Sequence, residues 1–322
     1  MGDKAQGMAT KGMPKGPEIP DTSQVQQGQP GLQKELRAQP VSEQLPTQHG
    51  DQEVLTLEAY RGVGKLKGKV ALLTGGDSGI GRSVAVLLAK EGAKGVAIVY
   101  LPKEQPDADH ARQLIEAEGS EALLIAADLS EGEAACKKIV LEKYGRVDVL
   151  VNNAAIQYVV PSIQETGEEI VSDTFRTNVF PMFFLCKYAV PHMPRGSSIV
   201  NSTSVTAYQG SKSLLEYSAT KGAIVTFTRS LALQLAPQGI RVNAVAAGPI
   251  WTPLQPATMP EEALEGLKAS PPPLGHIGQP VEAATSYVFL ASQEASFMTG
   301  QARYLFGAGP VLHPDGGMST SS

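Results

Sequence analysis

Cysteine is nearly absent: Cys136 and Cys186 are the only two in 322 residues. Both fall in stretches that read as helices. Buried free thiols suited to a reducing compartment are therefore expected, and not a disulfide framework. Long hydrophobic runs are missing as well. None approaches the roughly 20 residues that cross a bilayer as a helix, so no membrane partner is expected. Charge of one sign is also lacking. Lys and Arg number 27, Asp and Glu 32, and the net charge is −5. That balance removes the electrostatic case for nucleic acid or an anionic membrane surface. The N-terminus has no apolar h-region, which argues against a secretory signal. Asp3, Glu18 and Asp21, with no arginine before Arg37, argue against a transit peptide. A cytoplasmic location is expected, with organelle targeting by the N-terminal segment as the alternative. No metal site is expected.

Aromatic residues are missing before Tyr60. The segment Met1–Glu58 is instead rich in Gln, Gly and Pro, as in QVQQGQPGLQ. Such a composition cannot bury enough apolar area to offset its ordering entropy. A disordered arm over 1–58 is predicted, a solvated tail, with a hydration or docking element as the narrower alternative. From Lys65 onward the chain changes character. KVALLTG, GVAIVYL, EALLIAAD, VDVLVNNAA, SSIVNST and IRVNAVA read as strands. Between them lie helical stretches: IGRSVAVLLAKEGA, then Ala108–Glu118, Gly132–Tyr144, Phe175–Ala189 and Glu216–Leu235. Strands that alternate with helices and are apolar along their whole length indicate a parallel sheet covered on both faces. The expected fold class is α/β, a doubly wound parallel sheet in one domain over 65–322.

Two short motifs carry chemistry. TGGDSGIG, Thr74 to Gly81, follows the first strand and opens the first helix. Gly75, Gly79 and Gly81 let backbone turn sharply and approach a pyrophosphate, which the helix N-terminus favours. In EYSATKGA, Tyr217 stands four residues before Lys221, on one helix face. A free phenol, with a pKa of about 10, is a poor acid–base group at neutral pH. A neighbouring ammonium lowers that value. The bland reading of the pair is a surface contact worth a few tenths of a kcal/mol.

The spacing TGxxxGIG resembles that of the short-chain dehydrogenase/reductase family. Asn152-Asn153-Ala154-Ala155 is similar to the family's NNAG element, with Ala155 in place of glycine. Asn178, Ser204, Tyr217 and Lys221 match its asparagine, serine, tyrosine and lysine. The resemblance runs from about Lys65 to Gly317. GGDSGIGR and GPIWTPLQPA are most similar to the branch of glucose and ribitol dehydrogenase homologs, which includes plant aldehyde reductases.

The resemblance implies a Rossmann-type sheet of about seven strands, a nicotinamide cofactor and a homotetramer. It makes Tyr217 the proton donor or acceptor and Ser204 a donor to the substrate oxygen, with Ser202 as the competitor two residues earlier. Lys221 would also reach the nicotinamide ribose, and Asn178 would hold a water in a proton path. Around the cofactor it places Asp77, Ser78 and Ile80 with the three glycines, then Tyr100 after the second strand. Asp128 would meet the adenine amino group, beside Leu129, and Asn152 and Ala154 would follow. Gly248, Pro249, Ile250 and Thr252 would pass beneath the nicotinamide. An acid after the second strand would select NAD. Tyr100 stands there, and Arg82 and Lys103 can reach a 2′-phosphate, so NADP is expected, with NAD as the alternative.

Two departures stand out. The usual proline–glycine pair reads Ala247-Gly248, and ARYLFGAGP is inserted between Gln301 and Val311. Either Tyr304–Phe306 replaces the last strand, or it bulges and Val311-Leu312 resumes it. The proline-rich loop Trp251–Pro273 contains a short helix, PEEALEGLKA, and is expected to cover the substrate. Gln157, Tyr158, Tyr208 and Trp251 are candidate walls. None carries a fixed charge, which suits a small neutral carbonyl or alcohol. The expected activity is NADP-dependent hydride transfer between an aldehyde or ketone and its alcohol. The alternatives are an NAD-dependent sugar or polyol dehydrogenase, and a cofactor-binding sensor without turnover.

Overall fold

Each of the six apolar runs forms a strand in the computed structural model, which describes residues 28–47, 49, 55–140 and 145–301. An N-terminal hairpin comes first, β1 (Gln44–Thr47) and β2 (Thr56–Ala59), paired antiparallel. The main sheet follows: β3 (Val70–Thr74), β4 (Gly95–Tyr100), β5 (Glu121–Ala126), β6 (Val149–Asn152), β7 (Ser198–Ser204) and β8 (Arg241–Ala247). All its pairings are parallel, in the order β5-β4-β3-β6-β7-β8. The chain steps outward from β3 to β5, then crosses back to β6. The resulting switch point lies between the ends of β3 and β6, where ligands bind in open sheets of this kind.

Side-chain alternation builds the two layers. Leu73, Ile98 and Val151 face one side, with α1 (Gly79–Lys90), α2 (Gln105–Ala117) and α10 (Pro280–Ala291) packed over them. Leu72, Val99 and Leu150 face the other, under α3 (Glu133–Val140), α5 (Phe180–Ala189) and α7 (Leu215–Leu235). Cys136 and Cys186 are free and buried in this second layer. Burial pushes both thiols up, to about 11 and about 12. Among the described residues no helix is long and apolar enough to cross a membrane.

Two expectations are revised. The stretch 175–189 is not one helix. It is α4 (Glu168–Asn178) and α5, joined at Val179, which is left out of both. Pro181 stands in the first turn of α5, where it has no N–H to give and crowds the carbonyl four residues earlier. The stretch 132–144 yields α3 over its first part, and 141–144 lie outside the described residues. The expected seventh strand would fall in 302–322, also outside the described residues. Just before that stretch Gly300 N–H donates to Val242 O (2.7 Å) and Ala244 N–H to Gln301 O (3.2 Å), along the edge of β8 away from β7.

The second revision is larger. The disordered arm does not hold for the part of 1–58 that the structure describes. Gln33, Leu36 and Ala38 are buried. A 3-10 turn at Gln33–Glu35 and the β1–β2 hairpin give this segment regular structure. Its apolar content is too small for a core of its own, and it takes its order from the domain beneath it. Glu91, at the C-terminal end of α1, is the anchor on the return path. Its carboxylate accepts the Tyr60 hydroxyl and the N–H groups of Val63 and Lys65, the last two at 2.9 Å. Burial pushes this carboxyl up, but the Tyr60 hydroxyl and the two N–H groups outweigh it and hold it below its usual 4.5.

A lowered carboxyl pKa stabilises the fold above the unfolded-state value, and the gain is lost as pH falls through the folded-state value. Glu91→Gln is expected to cost about 2 kcal/mol at pH 7, the scale of lost charge-assisted hydrogen bonds. The gap to the parent should narrow below pH 4.5. Denaturant melts of both proteins across pH 3–8 check this.

Candidate active site

The loops that follow β3, β4, β5, β6, β7 and β8 enclose a cavity of about 670 Å³ at the carboxyl edge of the sheet. The turn after β3 forms one wall. Gly75 and Gly79 adopt positive φ (63° and 49°), which L side chains resist. A Cβ on Gly79 would sit 3.1 Å from the Thr252 side chain, and one on Gly75 would lie 3.1 Å from Ala154 Cα. Asp77, Ser78 and Ile80 line the cavity beside them. Gly81 does not. Its Cβ would fall 1.8 Å from Gly75 O, so it lets α1 close onto the turn and faces no ligand. Its expected place among the cofactor contacts is corrected accordingly.

The tips of β3 and β6 are clamped together. Asn153 N–H and Ala154 N–H donate to Thr74 Oγ1 (2.9 and 3.0 Å), and Asn153 Nδ2 donates to Thr74 O and Gly75 O. Asn153 and Ala154 line the cavity, whereas Asn152 turns to the opposite layer. There it donates to Asn201 Oδ1 (2.8 Å), near Cys186 Sγ. Asn153 thus takes the place expected of Asn152, as strand alternation requires.

At the far end stand Tyr100, Asp128 and Leu129, all lining the cavity. Asp128 accepts Ser130 N–H (2.8 Å) and caps the 3-10 turn Leu129–Glu131. Arg82 cannot reach a 2′-phosphate. It is buried, and its guanidinium donates to Asp77 O (2.6 Å), Asp107 O (3.2 Å) and Asp107 Oδ1 (3.1 Å). Lys103 lines this end and donates to Gln29 O at 2.9 Å. Asp77 and Glu104 are also here, both buried. Burial pushes both carboxyls above the usual carboxylate range, and the neighbouring Asp77 adds to the rise of Glu104. Asp77 Oδ2 has no hydrogen-bond partner.

The reacting end is built by β7 and α7. Ser204 Oγ accepts Thr206 N–H (3.2 Å) and Thr206 Oγ1–H (3.1 Å), and its hydroxyl acts on the Tyr217 phenol, favouring the phenolate. Ser202 is occupied elsewhere: its hydroxyl donates to Asn153 Oδ1 (3.2 Å) and pairs with the Tyr287 hydroxyl (2.8 Å). Of the two serines, Ser204 is the one whose hydroxyl acts on Tyr217. Lys221 Nζ donates to Ser202 O (3.0 Å) and stands 5.2 Å from the centre of the Tyr217 ring. Burial pushes the Tyr217 phenol up to about 12, against the Ser204 hydrogen bond, and pushes Lys221 down to about 7. The expected lowering of the phenol by Lys221 is not produced by the protein's own groups, because desolvation disfavours both charged forms.

Asn178 lies beneath, outside the cavity lining. Its Oδ1 accepts Ile156 N–H (2.8 Å), and its Nδ2 donates to Ile156 O (2.9 Å) and Thr220 Oγ1 (3.2 Å). Both ends of the amide are therefore engaged, and they fix the loop after β6 against α7. Beyond β8, Pro249, Ile250 and Thr252 line the cavity as expected. Gly278 pins them: Trp251 N–H donates to Gly278 O (2.8 Å) and Gly278 N–H to Pro249 O (3.0 Å). Gln157 and Tyr158 are walls, with Gln157 tied to Thr258 Oγ1 (2.8 Å) in α8 (Leu254–Thr258). Trp251 and Tyr208 are not. Trp251 packs with Ala38, Leu264 of α9 (Glu261–Ala269) and Ile277, and Tyr208 of α6 (Thr206–Gln209) packs against Val225 and Ala244. Missed by the sequence reading are Asn153, one position from a quoted residue, and Gln29, which nothing distinguishes from the other glutamines around it.

The volume, the glycine cradle and the unpartnered Asp77 oxygen fit a dinucleotide. With serine, tyrosine and lysine at the carboxyl edge of a doubly wound sheet, they define the class as a dinucleotide-dependent oxidoreductase. Comparison with known proteins agrees. A family model described as Enoyl-(Acyl carrier protein) reductase matches residues 75–318. NADPH-dependent aldehyde reductase 1, chloroplastic, of Arabidopsis thaliana is 51% identical over 80% of this chain and 88% of its own length. Glucose and ribitol dehydrogenase homolog 2 of the same plant is 48% identical over 92% and 96%. The crystal structure of a 3-ketoacyl-(acyl-carrier-protein) reductase from Brucella melitensis, complexed with NADH, superposes with a TM-score of 0.68 at 34% identity, over 79% of this chain and 99% of that one. The chain belongs to the short-chain dehydrogenase/reductase family and is an NAD(P)-dependent oxidoreductase.

A buried lysine with a lowered pKa costs stability most below the folded-state value, and the cost fades as pH rises toward the unfolded-state value. Lys221→Met is therefore expected to raise the melting temperature most below pH 7, with the gain shrinking toward pH 10.5. Calorimetry of both proteins over that range measures it.

Proposed function

We propose that the protein transfers hydride reversibly between NADP(H) and a small neutral aldehyde or ketone, or the matching alcohol. The observation that carries this reading is the convergence of Tyr217, Ser204 and Lys221 on the cavity that the glycine turn also lines. The nicotinamide supplies or accepts the hydride when bound. Tyr217 gives a proton to the carbonyl oxygen in reduction and takes it from the hydroxyl in oxidation. Ser204 donates a hydrogen bond to the same oxygen, where negative charge develops. Lys221, held by Ser202 O, keeps further N–H donors for the ribose hydroxyls. Asn178 positions the loop that carries Gln157 and Tyr158. Asp173 lines the cavity near Tyr158, and its charge disfavours carboxylate substrates.

For the cofactor, Lys103 at the adenosine end and Tyr100 in place of an acid support NADP, as does the similarity to the NADPH-dependent chloroplastic reductase. Asp77 and Glu104 favour the second reading, NAD, since carboxyl groups at that end can accept a ribose hydroxyl. A homo-oligomer is proposed on the exposed rings of Phe180, Phe183 and Phe297.

Absorbance assays with NADPH and NADH against short aldehydes, ketones and sugars test the reading. NADPH is expected to give at least about tenfold higher kcat/KM, a difference of about 1.4 kcal/mol. The reverse order would establish the second reading. Tyr217→Phe is expected to lower kcat by about 10²- to 10⁴-fold, the usual contribution of acid–base catalysis, with cofactor binding retained. Unchanged turnover in this variant would remove Tyr217 from the mechanism.

A further inference from the structure

The N-terminal segment crosses the mouth of the cofactor cavity and is tied to the loops on both sides of it. Gln29, Pro30 and Gly31 are themselves lining residues. The Gln29 side chain makes a paired contact with Gln157 backbone: Nε2 donates to Gln157 O (2.5 Å), and Oε1 accepts Gln157 N–H (3.0 Å). On the opposite side Gln29 O accepts Lys103 Nζ (2.9 Å). One residue thus bridges the adenosine end and the substrate end. Four positions later, Gln33 N–H and Lys34 N–H donate to the Asp107 carboxylate (2.6 and 3.0 Å). The buried Gln33 side chain turns back to the phosphate turn, where its Oε1 accepts Gly79 N–H (2.8 Å). Gly79 is the first residue of α1, and the preceding Ser78 makes no side-chain cap. Gln33 is therefore a cap in trans for the helix end that a pyrophosphate would face. Further along, Ala38 O accepts Trp251 Nε1–H (2.8 Å), and Val41 is paired with the start of α10 through Gln279 Oε1 and Val281 N–H.

We propose that Gln29 and Gln33 are cofactor-positioning residues, and that the segment Gln29–Val41 is a clasp that must lift for the nicotinamide cofactor to enter and leave. The inference rests on the cavity being the cofactor site. Gln33 sets the geometry of the turn that holds the phosphates, and Gln29 closes the span between Lys103 and Gln157. The cofactor does not pass while both ends are fastened. Because each tie is a separate hydrogen bond, loosening one end speeds opening without unfolding the domain.

The test is stopped-flow displacement of NADPH, and in parallel NADH, from the full chain, followed by nicotinamide fluorescence. Gln29→Ala removes both contacts to Gln157, and Trp251→Phe cuts the tie to Ala38 while keeping an aromatic ring in place. Cofactor release is expected to quicken about tenfold in Gln29→Ala, with a similar rise in the KM for cofactor and no fall in kcat. Gln29→Glu keeps the acceptor for Gln157 N–H and should lie between. Trp251→Phe should quicken release in the same direction. Release at the parent rate in both Gln29→Ala and Trp251→Phe would overturn the clasp, even if their melting temperatures fell. A parent protein that bound neither cofactor would overturn the site itself, a failure distinct from the first.

Discussion

The Arg82–Asp107 pair is the joint on which the cofactor side of the molecule depends. Both side chains are 1% exposed, and they are the meeting point of three parts of the chain. Arg82 reaches back from α1 to Asp77 O in the glycine turn. Asp107 reaches from α2 to the N–H groups of Gln33 and Lys34. Taking a guanidinium and a carboxylate out of water is costly, and a pair so buried is weak grounds for a claim of stability. What it provides is position. The guanidinium fork fixes the turn that approaches the phosphates, and the spare carboxylate lone pairs fix the segment laid across it.

A similar trade holds at the reacting end. Tyr217 and Lys221 are adjacent ionisable groups on one helix, placed in surroundings that favour neither phenolate nor ammonium. Thr203 Oγ1 donates to Lys221 O (2.8 Å), which binds α7 to β7 at the residue that must be held in place. The protein spends stability to keep a lysine with a pKa near 7 beside a tyrosine pushed to about 12. Active sites are where such mutually unfavourable environments collect.

How much of this was legible in the sequence follows from the range of the interactions. The six strands were readable because each is a continuous apolar run ended by a turn. Tyr217 and Lys221 were readable because one helical turn separates them, and the glycine turn because its spacing lies within eight residues. Errors arose where the deciding partner is distant or the difference is one position. Arg82 was offered to a ligand because its partner Asp107 lies in the next helix. Asn152 was chosen over Asn153 because the motif alone does not say which face each one meets. Trp251 was placed in the pocket because walls and cores use the same residue types. The N-terminal segment was assigned to solvent on composition, which measures a chain's ability to form its own core and is blind to a surface already formed elsewhere.

The segment's anchors also have a consequence for how the molecule is made. Ala38 and Val41 are joined to residues 213 and 238 positions later in the chain. Residues 38 and 41 therefore wait for residues 251 and 279 to be made before they can dock. Contacts of such sequence separation close late, since the loop entropy comes before the reward. Until those partners are in place the proposed clasp has nothing to fasten to, and that side of the nucleotide cleft is uncovered. On the proposed clasp, a cofactor that enters at that stage needs no opening step, and opening becomes a requirement of exchange alone.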